Sequence, residues 1–136
     1  MDDRAALLDR VRRRFDRAPL NSFLGMSLGY CENGVARVRL PYQREFDDRQ
    51  GSVASGLIAL LAETAGIFAT ASLSPSSAVK TVEFKINLLG GDPSDLLAIG
   101  EVVRRERSLA TCRLEVIQGT DRVIAIGLAT YSLLSP

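Results

Sequence analysis

The chain has 136 residues, with 17 Lys or Arg against 16 Asp or Glu, a formal net charge of +1 and no histidine. A near-neutral balance gives none of the basic excess that marks a nucleic-acid surface, so no nucleic-acid partner is expected. Without histidine there is no imidazole base, no His-ligated metal and no Ser-His-Asp triad. CxxC, P-loop and GxGxxG patterns are absent as well, and no cofactor and no metal are expected. Chemistry falls to carboxylates, hydroxyls, Tyr, Lys, Arg and backbone N–H groups. A length near the modal domain size of about 100–150 residues predicts one domain over 1–136.

In chain order, DRAALLDRVRRRFDR (3–17) places Leu7, Leu8, Val11 and Phe15 on one face of a short helix, with an Arg-rich solvated remainder. The N-terminal stretch has no apolar h-region and Cys31 and Cys112 lie far apart, so a soluble protein of a reducing, cytoplasmic compartment is expected. Pro19 and Asn21 end the helix. Gly25–Glu32 and Val35–Pro41 then flank Asn33-Gly34, a two-residue hairpin signal. Tyr42–Gln50 is polar and loop-like.

Val53–Leu73 follows, VASGLIALLAETAGIFATASL, with Glu63 as its only charge. Leu57, Leu60, Leu61, Thr64 and Phe68 recur at three- and four-residue steps, so the run reads as a helix buried all round. It is long enough to span a bilayer, but a carboxylate at mid-membrane costs roughly 2.5–3.5 kcal/mol. The strands beyond it also need it as their core, so no membrane span is expected. A carboxylate in such a helix is costly unless paired, solvated through a cleft or used. Glu63 is where function is expected.

After Pro75, Ala78–Leu89 alternates Val79, Thr81, Glu83 and Lys85 against Val82, Phe84, Ile86 and Leu88. Leu96–Arg105, Leu109–Gln118 and Arg122–Leu134 complete a four-strand meander. The order implies an α+β domain, one antiparallel sheet wrapped around one long central helix with a short N-terminal helix. One sheet covers one side of that helix, so self-association is expected, as a homodimer or a dimer of dimers.

GSVASGLIALLAETAG, VKTVEFKINLL, ERSLATCRLEV and GTDRVIAIGLATYSLL together resemble hotdog-fold acyl-CoA thioesterases of the phenylacetate-degradation type, from about Gly25 to Leu134. The resemblance implies a hotdog fold and hydrolysis of acyl-CoA thioesters. It puts Glu63 on the catalytic carboxylate and Ser55 on the glycine whose N–H polarises the thioester carbonyl. Asp48 falls on a frequent Asn beside that carbonyl, and Thr81 on a hydroxyl that positions the attacking water. Three residues depart from the pattern: Ala54 stands for His, Asp48 for Asn, and Glu106 for the Gly before Arg107.

Physical chemistry supports these roles independently. The N–H groups of Ser55 and Gly56 open a helix, where they lack intrahelical partners and the dipole favours negative charge. Glu63 would serve as base or as nucleophile. Ser55 and Glu63 are eight residues apart, about 12 Å at roughly 1.5 Å per residue, too far for one carbonyl. Two antiparallel helices crossing near Ala59 would bring Ser55 of one chain to Glu63 of the other, with Ala59, Ala62 and Gly66 permitting a close approach. The acyl chain would lie against Leu57, Leu60 and Leu61, and Arg104, Arg105 and Arg107 would meet the nucleotide end of coenzyme A. The alternative is a non-catalytic acyl-CoA or fatty-acyl binding protein of the same fold.

Overall fold

The computed structural model describes residues 3–134; the two ends of the expected 1–136 unit lie outside the described residues. The elements are α1 (Asp3–Arg17), α2 (Pro19–Leu24), β1 (Ser27–Glu32), β2 (Val35–Leu40), a 3-10 turn (Arg44–Phe46), α3 (Ser55–Leu73), β3 (Ala78–Leu88), β4 (Leu96–Glu106), β5 (Leu109–Gln118) and β6 (Arg122–Leu134). All strands join one antiparallel sheet in the order β1-β2-β4-β5-β6-β3, and α3 packs on its inner face. The expected meander is corrected here. β3 does not pair with β4; it closes the far edge against β6, while β4 joins the N-terminal hairpin through β2.

The hairpin turn has positive φ at both central residues, Asn33 at 55° and Gly34 at 79°, the two-residue geometry that matches strand twist. Gly34 also donates its N–H to Ser72 Oγ at 2.9 Å, tying the turn to the end of α3.

The inner face of the sheet is small or aliphatic where α3 crosses it. A Cβ on Gly100 would lie 2.6 Å from the Ala65 carbonyl carbon, and one on Gly66 would lie 2.1 Å from the Tyr131 hydroxyl. Helix and sheet therefore approach as closely as backbones allow. Leu61, Leu114 and Val116 are fully buried between them, each contributing about 1.5–3 kcal/mol by leaving water.

Ala62 and Gly66 are thus used up inside their own chain rather than reserved for a second helix. Burial of α3 is also less complete in one chain than its composition suggests. Ala59, Leu60, Glu63 and Ile67 form a half-exposed stripe, with Ser55 and Gly56 exposed at its start. The helix is long and apolar enough to cross a membrane, but Ile58, Leu61, Ala65 and Ala69 are buried against its own sheet.

Helix α1 buries Val11 and Phe15, and the Phe15 ring meets Phe68 of α3 edge-on, with centroids 5.0 Å apart. Arg4, Arg10, Arg13 and Arg17 form the exposed face expected from their run, but Arg12 and Arg14 are half-buried and leave it. Arg12 donates to the carbonyls of Leu28 and Gly29, and Arg14 to those of Ser77 and Pro75, at 2.9 and 2.8 Å. Pro19 does not end helical structure either; it opens α2 at a position where a missing N–H costs nothing.

Strand β3 departs from simple alternation. Thr81 pairs with Tyr131 and Glu83 with Thr130, so the register shifts across Val82. This bulge lets Val79 and Thr81 share the helix-facing side with Phe84 and Ile86, whose partners are Ala129 and Gly127. The expected grouping of Thr81 with Glu83 and Lys85 holds only without it.

Candidate active site

Glu63 is the carboxylate on the half-exposed stripe of α3. Its Oε2 accepts the Thr81 hydroxyl hydrogen at 3.0 Å, joining helix to edge strand. Its backbone carbonyl accepts the hydroxyl hydrogen of Tyr131 at 3.0 Å. Burial pushes the Tyr131 phenol well above the ordinary tyrosine range, aided by Cys112 and Glu63. Tyr131 is therefore a fixed donor that locates Glu63. Nothing in the sequence pattern singled it out, since an apolar strand position carrying Tyr reads as core.

The start of α3 is uncapped. Ala54 at the N-cap offers no side-chain acceptor, and the first ladder bonds run from the Leu57 and Ile58 N–H groups to the Ala54 carbonyl, at 3.0 and 3.2 Å. The N–H groups of Ser55 and Gly56 precede that ladder, on exposed residues. A Cβ on Gly56 would meet nothing within 4 Å. No crowding within the chain requires a glycine there.

The loop before the helix is pinned by buried Phe46, whose carbonyl accepts the Ala54 N–H at 2.8 Å. Asp48 is exposed and closes its own turn: Oδ1 accepts the N–H groups of Gln50 at 2.6 Å and Ser52 at 3.2 Å. Tyr42 donates its hydroxyl hydrogen to Asp47 at 2.6 Å, the main cause of its raised pKa.

Of the expected acyl-contacting residues, Leu57 and Leu60 are half-buried beside the open stripe, but Leu61 is wholly inside the core and unavailable to a ligand. Arg104, Arg105 and Arg107 are all exposed at the β4–β5 turn. Arg104 is paired with Glu106, Arg105 donates to the Leu73 carbonyl at 3.3 Å, and Arg107 takes a φ of 51° in the turn itself. The structure thus brings Glu63 and Thr81 together. Ser55 and Gly56 stay at the start of a continuous helix, Ser55 about 12 Å from Glu63 along its axis, and Asp48 lies in the loop before it.

An antiparallel sheet wrapped around one central helix defines a hotdog-fold protein. A model of the Thioesterase superfamily matches residues 50–125, and the chain belongs to that superfamily. A Halobacterium salinarum protein named as a proposed esterase is 31% identical over 142 residues, covering 96% of this chain and 92% of that one. Among solved structures, a thioesterase family protein from Silicibacter pomeroyi superposes with a TM-score of 0.89 at 27% identity, covering 96% of this chain and 99% of that one. The E. coli PaaI protein from the phenylacetic acid degradation operon shares the fold, with a TM-score of 0.87 at 17% identity over 95% of this chain and 94% of its own. The chain is a hydrolase of the thioester or ester class.

Proposed function

We propose that the protein hydrolyses acyl-CoA thioesters to the free acid and coenzyme A. The carrying observation is the 3.0 Å bond between Thr81 and the half-buried Glu63 carboxylate, in a chain without histidine. Glu63 either takes a proton from the attacking water or attacks the carbonyl to form an anhydride that water then opens. Thr81 holds the water or steadies the carboxylate. Negative charge on the carbonyl oxygen needs preorganised donors, and the Ser55 and Gly56 N–H groups at the positive end of α3 supply them.

The separation of these groups requires two copies. Antiparallel helices related by a two-fold axis near Ala59 set Ser55 and Gly56 of one chain against Glu63 of the other. Strand β3 favours such pairing. It is an 11-residue edge with exposed Val82 and Phe84, and an edge of that length and character invites another strand. Hotdog thioesterases commonly form oligomers, and a dimer of dimers extends the same logic. Arg104, Arg105 and Arg107 lie beside the C-terminal end of α3, the end that antiparallel packing turns toward the partner's helix start. They would meet the phosphates of coenzyme A there. Two free, buried cysteines support a reducing, cytoplasmic setting for a single domain.

The test is thiol release from a panel of acyl-CoAs, alongside the sedimentation mass. Hydrolysis by a dimer or larger species is expected. An active, folded monomer at micromolar concentration sinks the shared-site reading. Tight acyl-CoA binding with no thiol released would favour the acyl-binding alternative, which the exposed Asp48 carboxylate, in place of an amide, supports.

A further inference from the structure

Two rows of residues leave the Glu63–Thr81 bond and converge at one place. On α3, Glu63 is followed at four-residue steps by Ile67 and Ala71, stacked on one helix face. On β3, two-residue steps back from Thr81 reach Val79 on the same side of the sheet, and then Ser77 just before the strand. Between the rows opens a cavity of about 270 Å³ lined by Arg14, Ile67, Phe68, Ala71, Ala78 and Val79. The rows end at Pro75 and Ser77, whose carbonyls accept hydrogen bonds from Arg14 Nη2 and Nη1 at 2.8 and 2.9 Å. Ala71 lies eight residues beyond Glu63, about 12 Å along the helix. The slot therefore has apolar walls and the Arg14 guanidinium, and its lining residues Ile67 and Val79 lie one helical turn from Glu63 and two residues from Thr81.

Arg14 has no carboxylate partner among the described residues, whereas Arg13, Arg104, Arg113 and Arg122 are each paired with one. Two of its five N–H donors serve the loop carbonyls and its Nε is sealed from solvent without an acceptor, which leaves one N–H on each terminal nitrogen for a ligand. A half-buried cation facing an apolar slot, with donors to spare, is matched by an anion arriving through that slot.

We propose that the slot takes the acyl part of the substrate and that Arg14 binds a carboxylate at its far end, making thioesters of dicarboxylic acids the preferred class. This deepens the thioester-hydrolase reading and rests on it. The walls strip water from the methylene chain, and the guanidinium offers the forked, charge-assisted hydrogen bonds that carboxylates accept best. A methyl-ended chain of equal length leaves those donors facing hydrocarbon.

The experiment uses pairs of CoA thioesters that differ only in the terminal group, methyl or carboxylate, over a series of lengths. The kcat/KM is read by thiol release, and Kd by calorimetry on the Glu63→Gln protein. At one chain length wild type should favour the carboxylate by more than about tenfold, mainly in KM, as a site built around unpaired polar groups discriminates strongly. Arg14→Gln should bring the ratio near one, and Arg14→Lys should leave it intermediate. A wild-type ratio near one at every length, or a ratio untouched by Arg14→Gln, overturns the proposal while leaving hydrolysis standing. Absence of all turnover with a Kd preference for the carboxylate removes hydrolysis and keeps the role of Arg14. If Arg14→Gln simply fails to fold, the wild-type ratio and Arg14→Lys decide.

Discussion

Thr81 faces Glu63 because the register of β3 shifts immediately after it. The hydroxyl-to-carboxylate distance is 3.0 Å, and the shift falls between Thr81 and Glu83 in the pairing with β6. A regular strand turning Thr81 toward the helix would turn Phe84 and Ile86 to solvent. With the bulge, the chain presents a polar hydroxyl at the carboxylate and apolar side chains on either side, Val79 before it and Phe84 and Ile86 after it, on one face of an edge strand.

Glu63→Gln should lower kcat by roughly 10²–10⁴-fold, the usual cost of losing a general base, with the fold retained. The amide oxygen still accepts from Thr81, so near-native circular dichroism and thermal midpoint are expected. Thr81→Val, which deletes only the hydroxyl, should cost about 10–100-fold through misplacement of the reacting groups. Steady-state kinetics on both purified variants check this; retention of more than about a tenth of wild-type kcat by Glu63→Gln rules out Glu63 as the base.

The two glycines of α3 should respond in opposite ways. Gly66→Ala drives a methyl into the Tyr131 hydroxyl, at 2.1 Å, and should destabilise by about 1–3 kcal/mol. Gly56→Ala meets nothing within the chain and should gain roughly 0.5–1 kcal/mol from better helix propensity. Activity should nevertheless fall in Gly56→Ala, because the methyl intrudes where a thioester must reach the N–H groups. Denaturant midpoints and kcat/KM measured together test this pair; a loss of stability at position 56 in step with activity would show the glycine to be structural.

Asp48→Asn should raise activity or leave it unchanged. The amide keeps an Oδ1 that can accept from Gln50 and Ser52, so the turn survives. It adds donors where an ionised carboxylate has none. One preorganised oxyanion donor is typically worth about 10²–10³-fold, so even a partial gain would be measurable. A tenfold or greater fall in kcat at unchanged stability would instead give the carboxylate a direct part in catalysis.

Stability should decline between pH 9 and pH 11. Burial raises both Cys31 and Cys112 from 9.0 to about 11, opposed by the Arg12 charge at the first and by the Thr70 hydrogen bond at the second. The unfolded chain releases these protons near pH 9, whereas the folded chain holds them to about pH 11. The stabilisation is thus complete below that window and lost on crossing it. Tyr131, raised in the same sense, adds to the decline. Thermal melts across the window should fall, and the Cys31→Ala/Cys112→Ala double variant should fall less steeply; equal slopes would contradict the thiol contribution.

Much of the fold could be read from local pattern. The Asn33-Gly34 turn and the three- and four-residue period of α3 are each set by neighbouring residues. Glu63 stood out because a lone charge in an apolar helix demands an explanation. What escaped was non-local. Strand order depends on which edges meet, so chain order alone puts β3 beside β4, whereas the fold puts it beside β6. The bulge at Val82 arises from pairing with β6 and leaves no mark in composition. Arg14 reads as one member of an exposed arginine run until the Pro75 and Ser77 carbonyls are folded against it.

The hydrogen bond from Tyr131 to the Glu63 carbonyl has a dynamic consequence. It ties the middle of α3 to the sheet, so the helix there cannot open without lifting a fully buried ring out of the core. Amide protons around Glu63 should exchange with solvent only through global unfolding. Those of Ser55 and Gly56, ahead of the hydrogen-bonded ladder on exposed residues, should exchange through local fraying. One partner in the chemistry is held on the timescale of the whole molecule's unfolding. The other can adjust within a single encounter with a ligand.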